Sequence, residues 1–393
     1  MFFRKKSGFK VKPQLLILYI MGLMMAIAVA LPAYVHSNFL SQFVSLRMVS
    51  FFFIAANSAA FLMILAFPAI LKKLGNRPTF MALMFLFALS LFFFSSANSA
   101  LTGLIAIILF TISFNLVFIK LDLFIEKFTK NTDTGKIRAL YLTFYNLGWV
   151  MAPSLSSTLI ATVGYNMVYW IAGMIIIPAF LIFILTNGHL KSKLKYEREP
   201  LKKTIKKMWK TGNLRGIFFI ALILQLFYTT AVVYVPIYLH QTIGMSWATL
   251  GPIFSFMLLP FVLFEIPAGY IADKWFGEKE ILIGGLAILV ISLILFFSLG
   301  TATPIIWAAV LFFSRIGAAL IEAMRESYFF KLVSAKDIGL INLFRLTGPI
   351  AYIIGPIMAI AVTSFLPIQY LFLFFALIAS SGIIITLSLK DSR

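Results

Sequence analysis

Apolar segments of about twenty residues recur from one end of the chain to the other, separated by short polar connections. Such segments are long enough to cross the apolar core of a bilayer as helices. Because lipid offers the backbone no hydrogen-bond partners, a helix satisfies these groups within the segment itself. We predict twelve spans, near 13–35, 45–71, 78–96, 100–124, 139–163, 166–186, 215–238, 247–272, 280–299, 304–331, 338–363 and 367–389. The pattern therefore predicts an all-α polytopic membrane protein.

The tenth predicted span differs from the others because it carries a row of charged residues. Its sequence FSRIGAALIEAMRESYFFK places Arg315, Glu322, Arg325 and Glu326 along one side of a helix. A charge within the apolar core costs about 2.5–3.5 kcal/mol on insertion scales, so these side chains are expected to face protein or water. We predict that this helix forms one wall of a transport pathway.

The composition agrees with a membrane protein and gives it an orientation. The chain of 393 residues is 62% hydrophobic and 12% charged, which is too little charge for a soluble protein. Its net charge of +20 comes from lysines and arginines concentrated in alternate connections. That placement follows the positive-inside rule and predicts a multi-pass protein of the cell membrane with both termini cytoplasmic. The basic surface is expected to meet anionic lipid headgroups rather than nucleic acid.

Other function classes find little support in the residues. The chain has no cysteine and its three histidines are far apart in sequence, so we expect neither a metal site nor another cofactor. We find no phosphate-loop motif for ATP hydrolysis and no surface constellation of catalytic residues, so an enzyme is not expected. A membrane scaffold without transport activity is an alternative. The protein is expected to be a monomer.

The longest connection, residues 187–214, divides the spans into two sets of six. We predict an N-terminal bundle at 1–186, a basic cytoplasmic linker at 187–214 and a C-terminal bundle at 215–393. We interpret the linker as a partly helical, solvated segment on the headgroups, in preference to a nucleic-acid or regulatory site.

A weak internal repeat supports this division. With an offset of 203 residues, Ala152-Pro153 aligns with Gly355-Pro356. The fourth span thereby becomes the counterpart of the tenth, and it has a polar row of its own, Asn115, Asp122 and Glu126. Two equivalent charged helices predict two six-helix pseudo-repeats around a central cavity.

Residues 265–279 read EIPAGYIADKWFGEK and are similar to a cytoplasmic loop signature of the major facilitator superfamily, Gly-x-x-x-Asp-Arg/Lys-x-Gly. The match rests on Gly269, Asp273, Lys274 and Gly277, although the loop has one residue more before Gly277 than the signature and Glu278 stands in place of a basic residue. The resemblance implies a twelve-helix secondary transporter that works by alternating access, with these residues in a gating loop.

The position of Asp273 in a cytoplasmic loop gives a further expectation. Asp273 is expected to meet the start of the fifth helix near Arg138 and to hold the cytoplasmic side closed. The copy of the loop in the first bundle keeps Gly75 and Arg77 but has Lys72 at the position of the aspartate.

Residues 148–157 read GWVMAPSLSS and resemble the antiporter pattern of that family, Gly-x-x-x-Gly-Pro-x-x-Gly-Gly. Gly148 and Pro153, with Gly355 and Pro356 in the second bundle, are the predicted helix-packing positions. The pattern favours export, and a cavity rich in Phe and Met would suit hydrophobic or drug-like compounds.

The predicted spans contain equal numbers of acids and bases, the balance expected if buried charges pair. The bases are Lys120, Arg315, Arg325 and Arg345, and the acids, all candidates for proton coupling, are Asp122, Glu265, Glu322 and Glu326. We expect Arg315, Arg345, Glu265 and Glu322 to lie deepest, whereas Lys120 can extend to the cytoplasmic interface.

Proton-coupled transport is the first hypothesis for these charges. A buried carboxylate, Glu322 or Glu265, would carry the proton, and Arg315 or Arg345 would hold that carboxylate when substrate and proton are absent. The alternative is a permanent structural pair of Glu322 with Arg325 or Arg345.

Direct binding of an anionic substrate by Arg315 and Arg345 is the second hypothesis, because a guanidinium is a planar bidentate donor. Further cavity candidates, each more often a helix–helix contact than a substrate contact, are Asn57, Asn115, Gln225 and Tyr228. The leading interpretation is therefore proton-coupled secondary transport of a small molecule, directed to export. Uptake of an anionic or polar solute is the alternative transport function.

Overall fold

The computed structural model describes residues 13–128, 134–186, 201–300, 303–333 and 337–390. In these ranges the chain forms twelve long helical spans and no β-strand, which confirms the predicted fold class. They are α1 (Pro13–Ala33), α2 (Leu46–Leu74), α3 (Asn76–Ser95), α4 (Ala100–Phe128), α5 (Thr134–Thr162), α6 (Tyr165–Thr186), α7 (Gly212–Thr242), α8 (Trp247–Met257 and Leu259–Lys274), α9 (Glu278–Ser298), α10 (Pro304–Leu332), α11 (Ile338–Arg345 and Thr347–Thr363) and α12 (Tyr370–Leu387). Eleven of them, all except α5, contain a stretch long and apolar enough to cross a membrane.

Three helices of the second half of the chain are irregular, and proline accounts for each irregularity. A proline donates no backbone hydrogen bond, and its ring clashes with the carbonyl four residues earlier. In α7, π-helical turns flank Pro236. In α8 the helix is interrupted at Leu258, just before Pro260, and in α11 it is interrupted at Leu346, just before Pro349.

The helices pack in two similar sets, α1–α6 (the first half) and α7–α12 (the second half). In the first half α1 packs against α5 and α6, and α3 packs against α4 and α6. In the second half α7 packs against α11 and α12, and α9 packs against α10 and α12. The halves meet mainly where α2 contacts α11 and where α5 contacts α8. This arrangement fits the predicted repeat.

Glycines occupy equivalent places in the two halves. Gly75 precedes α3 with φ 82° and ψ 166°, and Gly277 precedes α9 with φ 103° and ψ 164°. A positive φ of this kind favours glycine, so both tight turns depend on that residue. At Gly148, a Cβ would lie 2.9 Å from Cβ of Ala26 on α1, and at Gly355 a Cβ would lie 2.9 Å from Thr229 on α7. Both sites therefore permit close helix packing, and Pro153 and Pro356 lie within the same two helices.

The end of the predicted linker is packed against the second half rather than fully solvated. Residues Leu201–Lys210 form a helix that contacts α7 and the first segment of α11. Its Thr204 and Met208 are buried, and Lys207 forms an ion pair with Asp337. The boundaries of the predicted domains remain a prediction, since residues 187–200 lie outside the described ranges.

Candidate functional site

A cavity of about 370 Å³ lies between the two halves. Side chains from α1, α2, α4 and α5 form one side of its wall, and side chains from α7, α8, α10 and α11 form the other. Most of the wall is apolar or aromatic, with Phe53, Phe110 and Phe261 among its residues. The interruptions of α8 and α11 border it through Leu258 and Pro349.

Six of the predicted site residues line this cavity, namely Asn57, Asn115, Gln225, Tyr228, Arg315 and Glu322. Two of the amides are also bonded within their own helices: Asn57 Nδ2 donates to the carbonyl of Phe53 at 2.9 Å, and Asn115 Nδ2 donates to that of Thr111 at 2.8 Å. The side-chain oxygens of both amides keep their capacity to accept a hydrogen bond.

The packing of α10 explains why its charged row faces the cavity. On the side that meets α9, Gly317 lies so close to Gly285 that a Cβ on Gly317 would come within 2.7 Å of the Gly285 carbonyl oxygen. Ala318 and Ala319 beside it are fully buried. Small residues therefore fix one face of α10 against α9, while Arg315 and Glu322 border the cavity.

Glu322 is held by two donors in the second half. The Tyr228 hydroxyl on α7 donates to Glu322 Oε2 at 2.5 Å, and Arg325 Nη2 lies 3.5 Å from Glu322 Oε1. Arg325 is itself buried, with its guanidinium 5.6 Å from the centre of the Phe344 ring. The structure thus brings together Glu322 and Arg325, one of the two pairings weighed from the sequence.

Arg345 is not where the sequence suggested. It was expected deep in the membrane beside Arg315, but its side chain is 41% exposed and it donates to both oxygens of Glu326, at 2.8 and 3.2 Å. The reason is that α11 begins at Ile338, so Arg345 lies only about two turns from the start of its helix. Arg345 does not line the cavity.

Glu265 lies on α8 one helical turn beyond Phe261, which borders the cavity. Its side chain is half-buried. Within the described residues it has no hydrogen bond and no ion pair, and the charges that act on it most are those of Glu322 and Glu326. The other two carboxylates are paired, Glu322 with Arg325 and Glu326 with Arg325 and Arg345.

The turns that resemble the family's loop signature are only partly described. Gly269 lies within α8 with open space around it, and Lys274 donates to the hydroxyl of Tyr270. Arg77 is exposed at the start of α3. The side chain of Asp273 lies outside the described residues, as do those of Asp122 and Arg138, so the expected contact of Asp273 stays a prediction.

Lys120 differs from its expected position at the interface. It is completely buried and donates to Oδ1 of Asn76, at the start of α3. In the second half, the residue at the same place in the turn, Glu278, accepts from Ser327 at 2.8 Å and lies 2.5 Å from Lys331 Nζ. A polar contact thus joins α3 to α4 in the first half and α9 to α10 in the second half.

Sequence reasoning missed several residues of the cavity wall, namely Tyr34, His36, Tyr145, Asn146, Trp149 and Tyr352. Most of them are aromatic residues in uniformly apolar segments. The sequence of such a segment does not show which residues face lipid and which face the cavity. His36 is buried against three aromatic rings, and its Nδ1 lies 3.1 Å from the Tyr169 hydroxyl. Burial lowers the pKa of His36 to about 3, so the ring is neutral at physiological pH.

Several contacts join the two halves at the end of the bundle opposite the basic loops. Gln241 Nε2 donates to Asn38 Oδ1 at 3.1 Å and to Ser41 Oγ at 2.7 Å. Nearby, Trp247 Nε1 donates to the Tyr165 hydroxyl at 2.5 Å. We call this end the outer end, following the predicted orientation.

Comparisons with known proteins agree with this architecture. The family model of the Major Facilitator Superfamily matches residues 15–344 and 248–393. The chain therefore belongs to the Major Facilitator Superfamily of membrane transporters. One similar solved structure is that of the nucleoside transporter NupG, as the D323A mutant, with a TM-score of 0.75. It shares 15% sequence identity, over 95% of this chain and 99% of that chain, which shows a common fold. The search of curated proteins gave no significant match.

Proposed function

We propose that this protein is a proton-coupled secondary transporter that carries a small molecule through the cavity by alternating access, with Glu265 as the proton carrier. Membership of the Major Facilitator Superfamily supports secondary transport. The single observation that carries the coupling is the half-buried carboxylate of Glu265, which lies on the segment of α8 that packs against α10 and has no hydrogen-bond or ion-pair partner among the described residues.

The balance of charge favours Glu265 over Glu322 in this role. Glu322 accepts hydrogen bonds from Tyr228 and lies against Arg325, and Glu326 is bonded to Arg345. Each of these carboxylates thus has a hydrogen-bond donor or a cation as its partner. Glu265 has no such partner among the described residues, so a proton that neutralises it breaks no ion pair there.

Protonation at Glu265 would change the contact between α8 and α10. Glu265 is on the segment of α8 that packs against α10, the helix that carries Glu322 and Glu326. When Glu265 is charged, the two helices repel each other electrostatically at this point. When it is protonated, that repulsion is removed and the helices can approach. Binding and release of a proton would thereby bias the position of α8, which also contacts α5 of the other half.

Transport in proteoliposomes under an imposed pH gradient tests the proposal. We expect Glu265→Gln to abolish substrate accumulation driven by the gradient but to keep counterflow exchange, because the cavity itself is unchanged. The matched control is Glu280→Gln, which changes an exposed glutamate at the start of α9. Undiminished accumulation with Glu265→Gln would remove this residue from the coupling mechanism.

Extrusion of hydrophobic compounds is a second candidate for the cargo and direction. The aromatic wall of the cavity, with Phe53, Phe110, Phe261 and Trp149, favours it. A counterflow panel of a hydrophobic cation, a nucleoside and an aromatic carboxylate separates the cargo classes. The nucleoside is included because NupG is described as a nucleoside transporter.

A further inference from the structure

Arg315 is a buried cation in the cavity wall, and none of the described side chains places an anion beside it. Its side chain is 1% exposed, and no described aspartate or glutamate oxygen lies within 4.0 Å of it. A buried charge without an opposite charge is strongly unfavourable, so such a charge usually has a ligand or a function.

The neighbours of Arg315 stabilise it only in part. Nη1 donates to Ser314 Oγ at a long 3.4 Å, and the guanidinium lies 5.1 Å from the centre of the Phe227 ring. Tyr34 and Tyr352 also lie near enough to Arg315 for its charge to act on their hydroxyls. These groups offer neutral oxygens and an aromatic face, which attract a cation but do not neutralise it.

The nearby carboxylates do not supply the missing charge. Glu322 is seven residues further along α10, about 10 Å along the helix axis, and it already has Arg325 and Tyr228 as partners. Glu326 is bonded to Arg345 still further along. The cavity thus has a cationic centre at the level of Arg315.

We propose that Arg315 binds the anionic group of the transported molecule, so that the substrate is an organic anion with a carboxylate or phosphate on an apolar body. A guanidinium offers parallel donors that match either oxyanion. The aromatic wall accommodates the apolar body, as Phe110 and Trp149 on the facing half indicate. This inference rests on the proposed transport function but not on the role of Glu265.

Thermal unfolding of the purified full chain in detergent tests the site without requiring transport. The probes are benzoate and phenyl phosphate, with neutral benzamide as the matched uncharged compound. We expect one or both anions to raise the unfolding midpoint by a few degrees, and benzamide not to raise it. Arg315→Gln should abolish the anion-dependent rise, whereas Arg215→Gln, at an exposed arginine on α7, should keep it.

A second variant covers the case in which Arg315→Gln does not fold. Arg315→Lys keeps the positive charge but loses the paired donors, and we expect it to need at least about tenfold more anion for the same rise. An undiminished rise at the same anion concentration in either variant, or no rise with either anion in the unmodified protein, overturns the proposal. The same applies if short-chain phosphatidylglycerol stabilises the protein and both aromatic anions fail, because the site would then hold a lipid headgroup. The two proposals can fail separately. If neither anion raises the unfolding midpoint but a neutral substrate accumulates in a way that depends on Glu265, the anion site is refuted and the proposed function stands.

Discussion

At Gly251, α8 lies very close to α5, and a methyl group at this position tests whether that contact keeps the two halves together. A Cβ on residue 251 would lie 1.8 Å from Ser157 Oγ and 2.9 Å from the carbonyl oxygen of Pro153. Rotation of the Ser157 side chain relieves part of the first overlap but not the second, because the carbonyl belongs to the backbone of α5. The two helices must therefore separate slightly.

The size of the effect follows from this overlap. Overpacking of a close contact by one methyl group typically costs about 1–3 kcal/mol. If the contact exists in only one state of the transport cycle, the same free energy shifts the equilibrium away from that state by about 5–150-fold. We therefore expect Gly251→Ala to increase the fraction of molecules whose outer end is open.

The absence of cysteine from the chain makes the assay direct. A single Ala33→Cys reporter lines the cavity and can be labelled by a membrane-impermeant thiol reagent added to the outer side. Gly251→Ala should raise its labelling rate at least about fivefold. The control is Gly284→Ala, where no atom lies within 4 Å of the added methyl group. An unchanged rate, or an equal rise in the control, would refute the reasoning.

Two further predictions concern the polar contacts of the second half. Tyr228→Phe removes the hydroxyl that donates to Glu322, a hydrogen bond to a charged group worth about 1.5–3 kcal/mol, and we expect transport to fall about tenfold or more while the protein still elutes as a folded species. Transport at the original rate would show that this hydrogen bond is not part of the mechanism. Glu278→Gln weakens the ion pair between the buried Glu278 and the half-exposed Lys331, and we expect a loss of about 1 kcal/mol, measured as a lower unfolding midpoint. An unchanged midpoint would mean that the contact contributes nothing to stability.

The fold was largely predictable because the apolar segments repeat strongly and basic residues separate them. The spans were located to within a few residues, apart from details such as the extension of α7 to Thr242. The placement of Arg315 and Glu322 could also be anticipated, because charge within a span is too costly to face lipid. The pattern did not show how deep in the membrane each charge lies. Arg345 was therefore expected near the middle of its span, whereas it lies near the start of α11.

The sequence did not predict which charges pair, nor which other residues line the cavity, and the reasons differ. Which arginine meets Glu322 depends on the rotation of α10 and α11 about their axes, and several partners were compatible with the spacing. The tyrosines of the wall, such as Tyr34 and Tyr352, lie in segments that are apolar on all sides. Residues that face lipid and residues that face an aromatic cavity are both apolar, so the sequence does not distinguish them. Which side of such a helix faces the cavity is set by packing alone.

The interrupted helices give the two halves unequal stiffness. The irregular parts of α7, α8 and α11 all border the cavity, through Val232, Leu258 and Gly348, whereas the cavity-lining spans of the first half are continuous helices. A helix bends more easily where its hydrogen-bond ladder is already broken. We therefore expect the first half to act as a rigid template and the second half to adapt its wall to cargo of different shapes. Selectivity would then depend partly on the prolines that create the breaks, including Pro236 and Pro260, which do not line the cavity.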